Sequence, residues 1–571
     1  MRLNVRNTLS SFFNNPKKLF WFFIALNLIP SLLLVFTEPL NWAGKSILIL
    51  FGLGLYLFLL SLSKNIGRTQ VILFPLFFLH AFQIVLMYLF GEAVIAADMF
   101  LNVLTTNVSE AGEVLNSLWP SIIFVVILYI PATVIAINQW KHKRYLDISF
   151  RRKTMVAGLI FILSTYGLSF FAENINTQKY SYHEDVYPLN VLYNLDFAIN
   201  KWSKTRNYPE TSDRFRFNAV RDTFPEEREI YVMVIGETSR ADNWSLYGYG
   251  RNTTPLLGKE ANLIHFPDAL TESNTTHKSV SIMLSAASAD NYNVVYEQKS
   301  IITAFKEIGF KTVFLSNQGL NHSFTEYFSK EADINRNIRS VGDLGIQTVN
   351  NYDMVLLPLF NHYIDSVQGN LFIVIHSYGS HFNYKERYTE EFSMFIPDNV
   401  TGIRKGDRER LVNAYDNTIL YTDSFLSALI ASLKKRGTVS SLLFASDHGE
   451  DLLDDSRMRF LHASPNPTYY QLKIPMFAWF SDSYKSAFPA KVEALTQNRN
   501  KPVATNAIFH TLLDIASVNT DYLDKDLSLV DVHFKTKKRM YLNDHDKPVF
   551  FYNANLKPQD KKMISKRKVY H

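Results

Sequence analysis

Apolar residues fall into two regimes along this chain. As far as Phe171 they run in long blocks, and from about Arg228 in short ones separated by polar stretches. The long blocks are Leu19–Phe36, Ile47–Leu62, Val71–Phe90, Leu118–Ile137 and Met155–Phe171. Each is close to the ~20 residues that carry a helix across a bilayer, so five transmembrane helices are predicted, the second extending toward Trp42. The first block is followed by four more and lacks a small-residue cleavage site, which argues against a removable leader. Lys and Arg flank the blocks unevenly. Arg2, Arg6, Lys17 and Lys18 precede the first; Lys64 and Arg68 follow the second; Lys141 to Lys153 separate the fourth from the fifth; Gly91–Ser117 has neither residue. The bias puts the N-terminus inside and, with an odd number of spans, everything after Phe171 outside. In a Gram-negative bacterium that is the periplasm.

Two segments between or after the blocks are amphipathic. In Asp98–Leu115 the polar residues Asn102, Thr106 and Glu110 recur every fourth position, one face of a helix. That face either meets water or turns toward a lipid head group. Val186–Trp202, rich in aromatics, reads as a helix lying on the membrane surface. The domains expected are residues 1–173 in the membrane, a linker at 174–227, a globular domain at 228–556 and a basic tail at 557–571 that should fray.

The short blocks Ile230–Glu237, Lys311–Asn317, Leu371–Ser377, Ser441–Asp447 and Met476–Ser481 are continuously apolar, as in strands buried on both faces of a mostly parallel sheet. Helical stretches such as Asn413–Arg436 and Asn506–Ser517 alternate with them, giving an α/β layered domain. Ligands bind such sheets beyond the carboxyl ends of the strands. There the sequence places Glu237, His376 with His381, and Asp447 with His448; His462 follows shortly after. One such residue proves little, since an Asp-His-Gly can be a turn and a histidine can be a core residue. Their gathering at successive strand ends suits zinc or a similar divalent ion held by oxygen and nitrogen. Cysteine is absent, which excludes disulfides and thiolate ligands, and the net charge of +6 is spread without the basic stripe that nucleic acid requires. A metal of this kind activates hydroxyls and polarises phosphoryl oxygens. Thr275, Thr276 and Ser279 cluster just before a helical run, where an anionic phosphate is favoured, and position alone does not choose among them.

Four strings in this order, "GETSRADNWSLYGYGRNTTP", "GSHFNYKERY", "NAYDNTILYTDSFLSALI" and "SDHGED" followed by "LHASP", resemble the bacterial phosphoethanolamine transferases of lipid A, which include the mobile colistin-resistance enzymes. The resemblance implies a five-helix transmembrane domain followed by an alkaline-phosphatase/sulfatase-like domain. It implies zinc held by Glu237, Thr276, Asp447 and His448, with Thr276 the nucleophile that carries phosphoethanolamine. His381 and His462 would contact the phosphoryl group, and Asn102, Thr106 and Glu110 the lipid donor. The donor would be phosphatidylethanolamine, the acceptor lipid A or another envelope glycan, the location the inner membrane, and the state a monomer. Two departures stand out: the family's Pro-Cys pair is Ser281-Ile282, and a frequent Lys among the substrate contacts is His322. The rival readings are a glycerol-phosphate transferase of the lipoteichoic acid synthase type and a non-catalytic membrane sensor of the same fold. A sulfatase is disfavoured, because no Cys or Ser-x-Pro-x-Arg stands ready for conversion to formylglycine.

Overall fold

The computed structural model describes residues 15–90, 94–105, 118–175, 179–320, 322–339, 352–400, 405–553 and 556–570. They divide into two compact units, one within Met1–Phe100 and Leu118–Ala198, the other within Leu101–Ser117 and Ile199–His571.

The first unit is helical: α1 Pro16–Thr37, α2 Trp42–Ser61, α3 Ile66–Ile72, α4 Phe74–Phe90, α6 Trp119–Lys141 and α7 Ile148–Ser169, with α5, Ala97–Thr105, spanning the division between the units. Side chains of Asn15, Asn41 and Asp147 accept backbone amides at the starts of α1, α2 and α7, meeting donors that a helix start leaves unpaired. α1, α2 and α6 are long and apolar enough to cross a membrane. α3 and α4, bent 59° apart, form a fourth span if taken together. α7 coincides with the fifth predicted span but starts with Arg151, Arg152 and Lys153 in its first turns, so its composition falls short. α7 nevertheless packs closely on α2. A Cβ on Gly54 would stand 2.8 Å from the carbonyl oxygen of Gly158, and one on Gly158 2.6 Å from that of Gly54, so glycine at both positions lets the two backbones touch.

Polar side chains also join these helices. Asn27 Nδ2 donates to Gln70 Oε1 (3.1 Å), and the hydroxyls of Ser61 and Thr154 lie 2.7 Å apart. The fully buried His80 ring has Tyr56 Oη at 3.1 Å on one nitrogen and Tyr187 Oη at 2.6 Å on the other. The predicted surface helix is α8, Leu189–Arg206, and the division between the units falls inside it.

The second unit is built on a sheet of seven strands: β1 Glu229–Gly236, β2 Leu263–His265, β3 Lys311–Ser316, β4 Ile334–Asn337, β5 Leu371–His376, β6 Val439–Ser446 and, after the short hairpin β7 Asp451–Leu452 and β8 Phe460–Leu461, β9 Met476–Phe480. The order across the sheet is β2-β9-β6-β1-β5-β3-β4. β6, β1, β5, β3 and β4 are parallel, while β9 runs antiparallel to both its neighbours. All of β1 is buried. Tyr231, Met233 and Ile235 face a core that includes Ile301, Phe305, Ile508 and Leu512, and the alternate residues Ile230, Val232 and Val234 are covered as well. The five predicted strands are present within two residues at either end; the edge strands β2 and β4 are additional.

The basic tail does not fray where it is described. Pro558–Arg567 is a helix, α12, which follows α9 Thr276–Leu284, α10 Phe324–Ser329 and α11 Arg408–Arg436 along the chain. Its Ile564, together with Val569, joins a small core with Leu270, Tyr469 and Phe551. Asp560, buried, accepts from Arg457 (2.5 and 3.1 Å) and from the backbone amides of Tyr469 and Lys557 (3.0 Å each). The Lys and Arg run had suggested a solvated tail; it forms the outer face of an amphipathic helix instead.

Candidate active site

Because β1 lies in parallel register between β5 and β6, with Ile235 opposite His376 and Gly236 opposite Ser446, the next residues of these strands emerge at one place. Glu237, His376, Asp447 and His448 are therefore neighbours, all of them buried. The backbone amides of Thr238 (3.0 Å) and His448 (2.7 Å) both donate to Asp447 Oδ1. Oδ2 of the same carboxylate accepts no hydrogen bond and lies 3.2 Å from His448 Nε2. His448 Nδ1 is 3.0 Å from the carbonyl oxygen of Gly449, so Nδ1 carries the proton and Nε2 presents its lone pair. Burial holds this imidazole well below its usual pKa, and burial pushes the Asp447 carboxyl up.

Thr276, the first residue of α9, brings its hydroxyl to 3.2 Å from His448 Nε2 and 3.4 Å from Glu237 Oε1. The other two hydroxyl candidates are engaged elsewhere: Thr275 Oγ1 lies 3.0 Å from Ser273 Oγ, and Ser279 Oγ donates to the Asp447 carbonyl (2.5 Å). Ser281, in place of the expected Pro-Cys pair, bonds the Lys278 carbonyl (2.7 Å) and lies 3.2 Å from Tyr292 Oη.

The hairpin β7–β8 delivers His462 beside the cluster, its ring 4.1 Å from that of His448 and its Nδ1 3.4 Å from Glu450 Oε2. His381 lies on the other side of His462, with ring centres 6.2 Å apart, and stacks on Tyr378. Burial and the nearby Arg387 hold His381 well below its usual pKa. His322 is apart from the cluster: it is exposed and faces Glu326 at 3.7 Å. Asn102 is half-buried on α5; Thr106 and Glu110 lie outside the described residues.

Sequence reasoning missed Gln318, Glu450 and the environment of His376. Gln318 Nε2 donates to Glu237 Oε2 (3.0 Å) and to the Ser377 carbonyl (2.8 Å). His376 stands 4.0 Å from Glu237 Oε2, and burial pushes its pKa down to about 4. The only sequence hint was that Gln318 and Glu450 each follow the end of a predicted strand.

These donors fit a divalent cation. Glu237, His448 and His462 each offer a ligand atom within 4.8 Å of the others. The orphaned Asp447 Oδ2 and the hydroxyl of Thr276 adjoin the same His448 nitrogen, so the implied set of Glu237, Thr276, Asp447 and His448 is gathered with His462 at its edge.

A family model described as Sulfatase matches residues 229–518. A phosphoethanolamine transferase, EptA, of Escherichia coli O157:H7 is 30% identical over 308 residues, covering 52% of this chain and 55% of that protein, so the match spans about half the relative's length. The zinc complex of the C-terminal periplasmic domain of Escherichia coli EptC is 26% identical, with a TM-score of 0.54 over 60% of this chain and 97% of that one. The integral membrane lipooligosaccharide phosphoethanolamine transferase A of Neisseria meningitidis has a TM-score of 0.69 over 88% of this chain and 98% of that one, at 22% identity, a likeness of fold.

Proposed function

Since this chain belongs to the sulfatase family, we propose that it is a membrane-bound, zinc-dependent phosphoethanolamine transferase acting in the periplasm. The observation that carries the reading is the Thr276 hydroxyl, at a helix start, set against His448 Nε2 and Glu237 within a buried set of metal donors. The names of the relatives support the group transferred. α7 is assigned as the fifth span, which places the second unit outside the inner membrane. Phosphatidylethanolamine is the donor, with Asn102, Thr106 and Glu110 assigned to binding that lipid, and lipid A or another envelope glycan is the acceptor.

Glu237, Thr276, Asp447 and His448 would hold the zinc, which supplies positive charge to the phosphoryl oxygens and lowers the pKa of the hydroxyl. Thr276 Oγ1, its proton released to water, forms a bond to phosphorus as the bond to the diacylglycerol oxygen breaks. His462, oriented by Glu450, is placed to protonate that departing oxygen and to take a proton from the acceptor that later attacks phosphorus as the phosphorus–Thr276 Oγ1 bond breaks. His381 borders the phosphoryl group. The start of α9 points backbone N–H groups toward the anion.

The test is intact-mass and peptide analysis of full-length protein incubated with labelled phosphatidylethanolamine. A phosphoethanolamine adduct on Thr276, lost with all transfer in Thr276→Ala, is expected. A glycerol-phosphate adduct, or one on Thr275 or Ser279, overturns the assignment.

A further inference from the structure

Beside Thr276, a cavity of about 30 Å³ opens between the ends of β3 and β5. Its wall includes Gln318, His376, Ser316, Thr325 and Glu326, as well as the nucleophile itself. Several of its polar groups have nothing to bond. Thr325 Oγ1 is buried without a partner, and so are both ring nitrogens of His376. Gln318 gives both amide hydrogens away, to Glu237 and to the Ser377 carbonyl. Both of those partners are acceptors, so the NH₂ must face them and the amide oxygen turns the other way. Glu326 brings a carboxylate to the same wall, held by Lys330 Nζ (2.6 Å) and the amide of His322 (2.8 Å).

Buried polar groups nearly always find a hydrogen bond. Several orphans on one cavity, next to a reacting hydroxyl, mark a place that a polar ligand fills. The wall is rich in acceptors: a carboxamide oxygen, imidazole nitrogen, hydroxyls and a carboxylate. An ammonium offers three donors and no acceptor, which is the complement. A water needs about 10–15 Å³ on this scale, so the cavity admits about two waters or one short unbranched chain.

We propose that this cavity receives the aminoethyl end of the group carried on Thr276, and that its size and acceptor lining select a primary ammonium over a trimethylated one. This assignment rests on the reading of the chain as a phosphoethanolamine transferase. A trimethylammonium has no N–H to give and is too broad for the space.

The experiment uses full-length protein in detergent with phosphatidylethanolamine or phosphatidylcholine of the same acyl chains, and the variant Thr325→Val, which keeps the shape and removes the orphan hydroxyl. Phosphatidylcholine should be at least about tenfold the poorer donor, and Thr325→Val should raise KM for phosphatidylethanolamine about tenfold, the effect of one hydrogen bond to a charged group. The melting temperature of the variant should hold or rise, because an unpaired buried hydroxyl is gone. In a parallel thermal-shift arm, O-phosphoethanolamine should stabilise the zinc-loaded wild type more than phosphocholine does, and Thr325→Val should erase the difference. Equal use of the two donors with an unchanged KM in the variant would mean that the cavity holds only water. Absence of transfer from either lipid would overturn the functional reading instead, and the thermal-shift arm would then decide the cavity: unequal shifts keep it as an amine site, and equal shifts remove it.

Discussion

Asp447 Oδ2 sits fully buried without a hydrogen bond, an arrangement that costs about 1–3 kcal/mol, and more when the group is charged. A cation removes that cost. Chelated Asp447→Asn protein, which keeps an oxygen for the amides of Thr238 and His448 and loses the charge, is therefore expected to melt higher than chelated wild type, and the order should reverse when zinc is added. Calorimetry with and without zinc checks this; a variant less stable in both conditions would show that Asp447 is structural. Glu272 gives a separate test. Burial, with help from Asp290, raises its carboxyl to about 8, while the Ala289 amide bonds it at 2.8 Å. The folded state thus favours the protonated form. The contribution is full below the unfolded pKa near 4.5 and is lost as pH rises toward about 8, by up to about 1.4 kcal/mol per pH unit. Glu272→Gln should flatten the fall in melting temperature between pH 5 and pH 8; identical slopes would refute it. At this scale the candidate ligand residues were legible because strands end on them. The choice of Thr276 over Thr275 and Ser279 was not legible locally, because all three hydroxyls lie beside one helix start and what separates them is which partners the distant loops at Glu237 and Asp447 bring.

Elements were readable wherever burial is uniform. β1, β5 and β6 are covered on both faces and show as unbroken apolar runs. The edge strands β2 and β4 are only partly buried, and β4 has the sequence Ile-Asn-Arg-Asn, so nothing in their polarity announces a strand. α12 was hidden for a related reason: in a helix so rich in Lys and Arg, a few inward side chains carry the packing. It also reaches the active site indirectly. Arg457, in the loop of the β7–β8 hairpin that presents His462, is pinned by Asp560 of α12 and by Asp455. Asp560→Ala leaves that guanidinium half-paired and two backbone amides unmet, and should destabilise the second unit by about 3 kcal/mol. Hydrogen exchange in residues 451–462 should rise selectively. A loss below about 0.5 kcal/mol, the range of ordinary surface changes, would show the clamp to be superficial.

At the scale of the chain, the change from long to short apolar blocks revealed a membrane part and a layered α/β part, since bilayer thickness and strand length impose different run lengths. It could not reveal how the spans are made. The bend between α3 and α4 leaves no mark in a hydropathy count, and the apolar run from Met155 does not show that α7 begins at Ile148 with Arg151, Arg152 and Lys153 inside the helix. Nor could it reveal the His80 arrangement, in which one ring occupies two hydroxyls from separate parts of the first unit, Tyr56 on α2 and Tyr187 ahead of α8. That arrangement limits how the sequence can drift. Losing His80 alone strands two buried hydroxyls, whereas losing either tyrosine strands a ring nitrogen, so each single step is penalised while a joint exchange to apolar residues of similar volume is nearly free. Across diverging homologues, positions 56, 80 and 187 should change together, and an aligned set in which His80 varies while both tyrosines stay fixed would contradict this. In the laboratory the same logic makes His80→Leu more damaging alone than in combination with Tyr56→Phe and Tyr187→Phe.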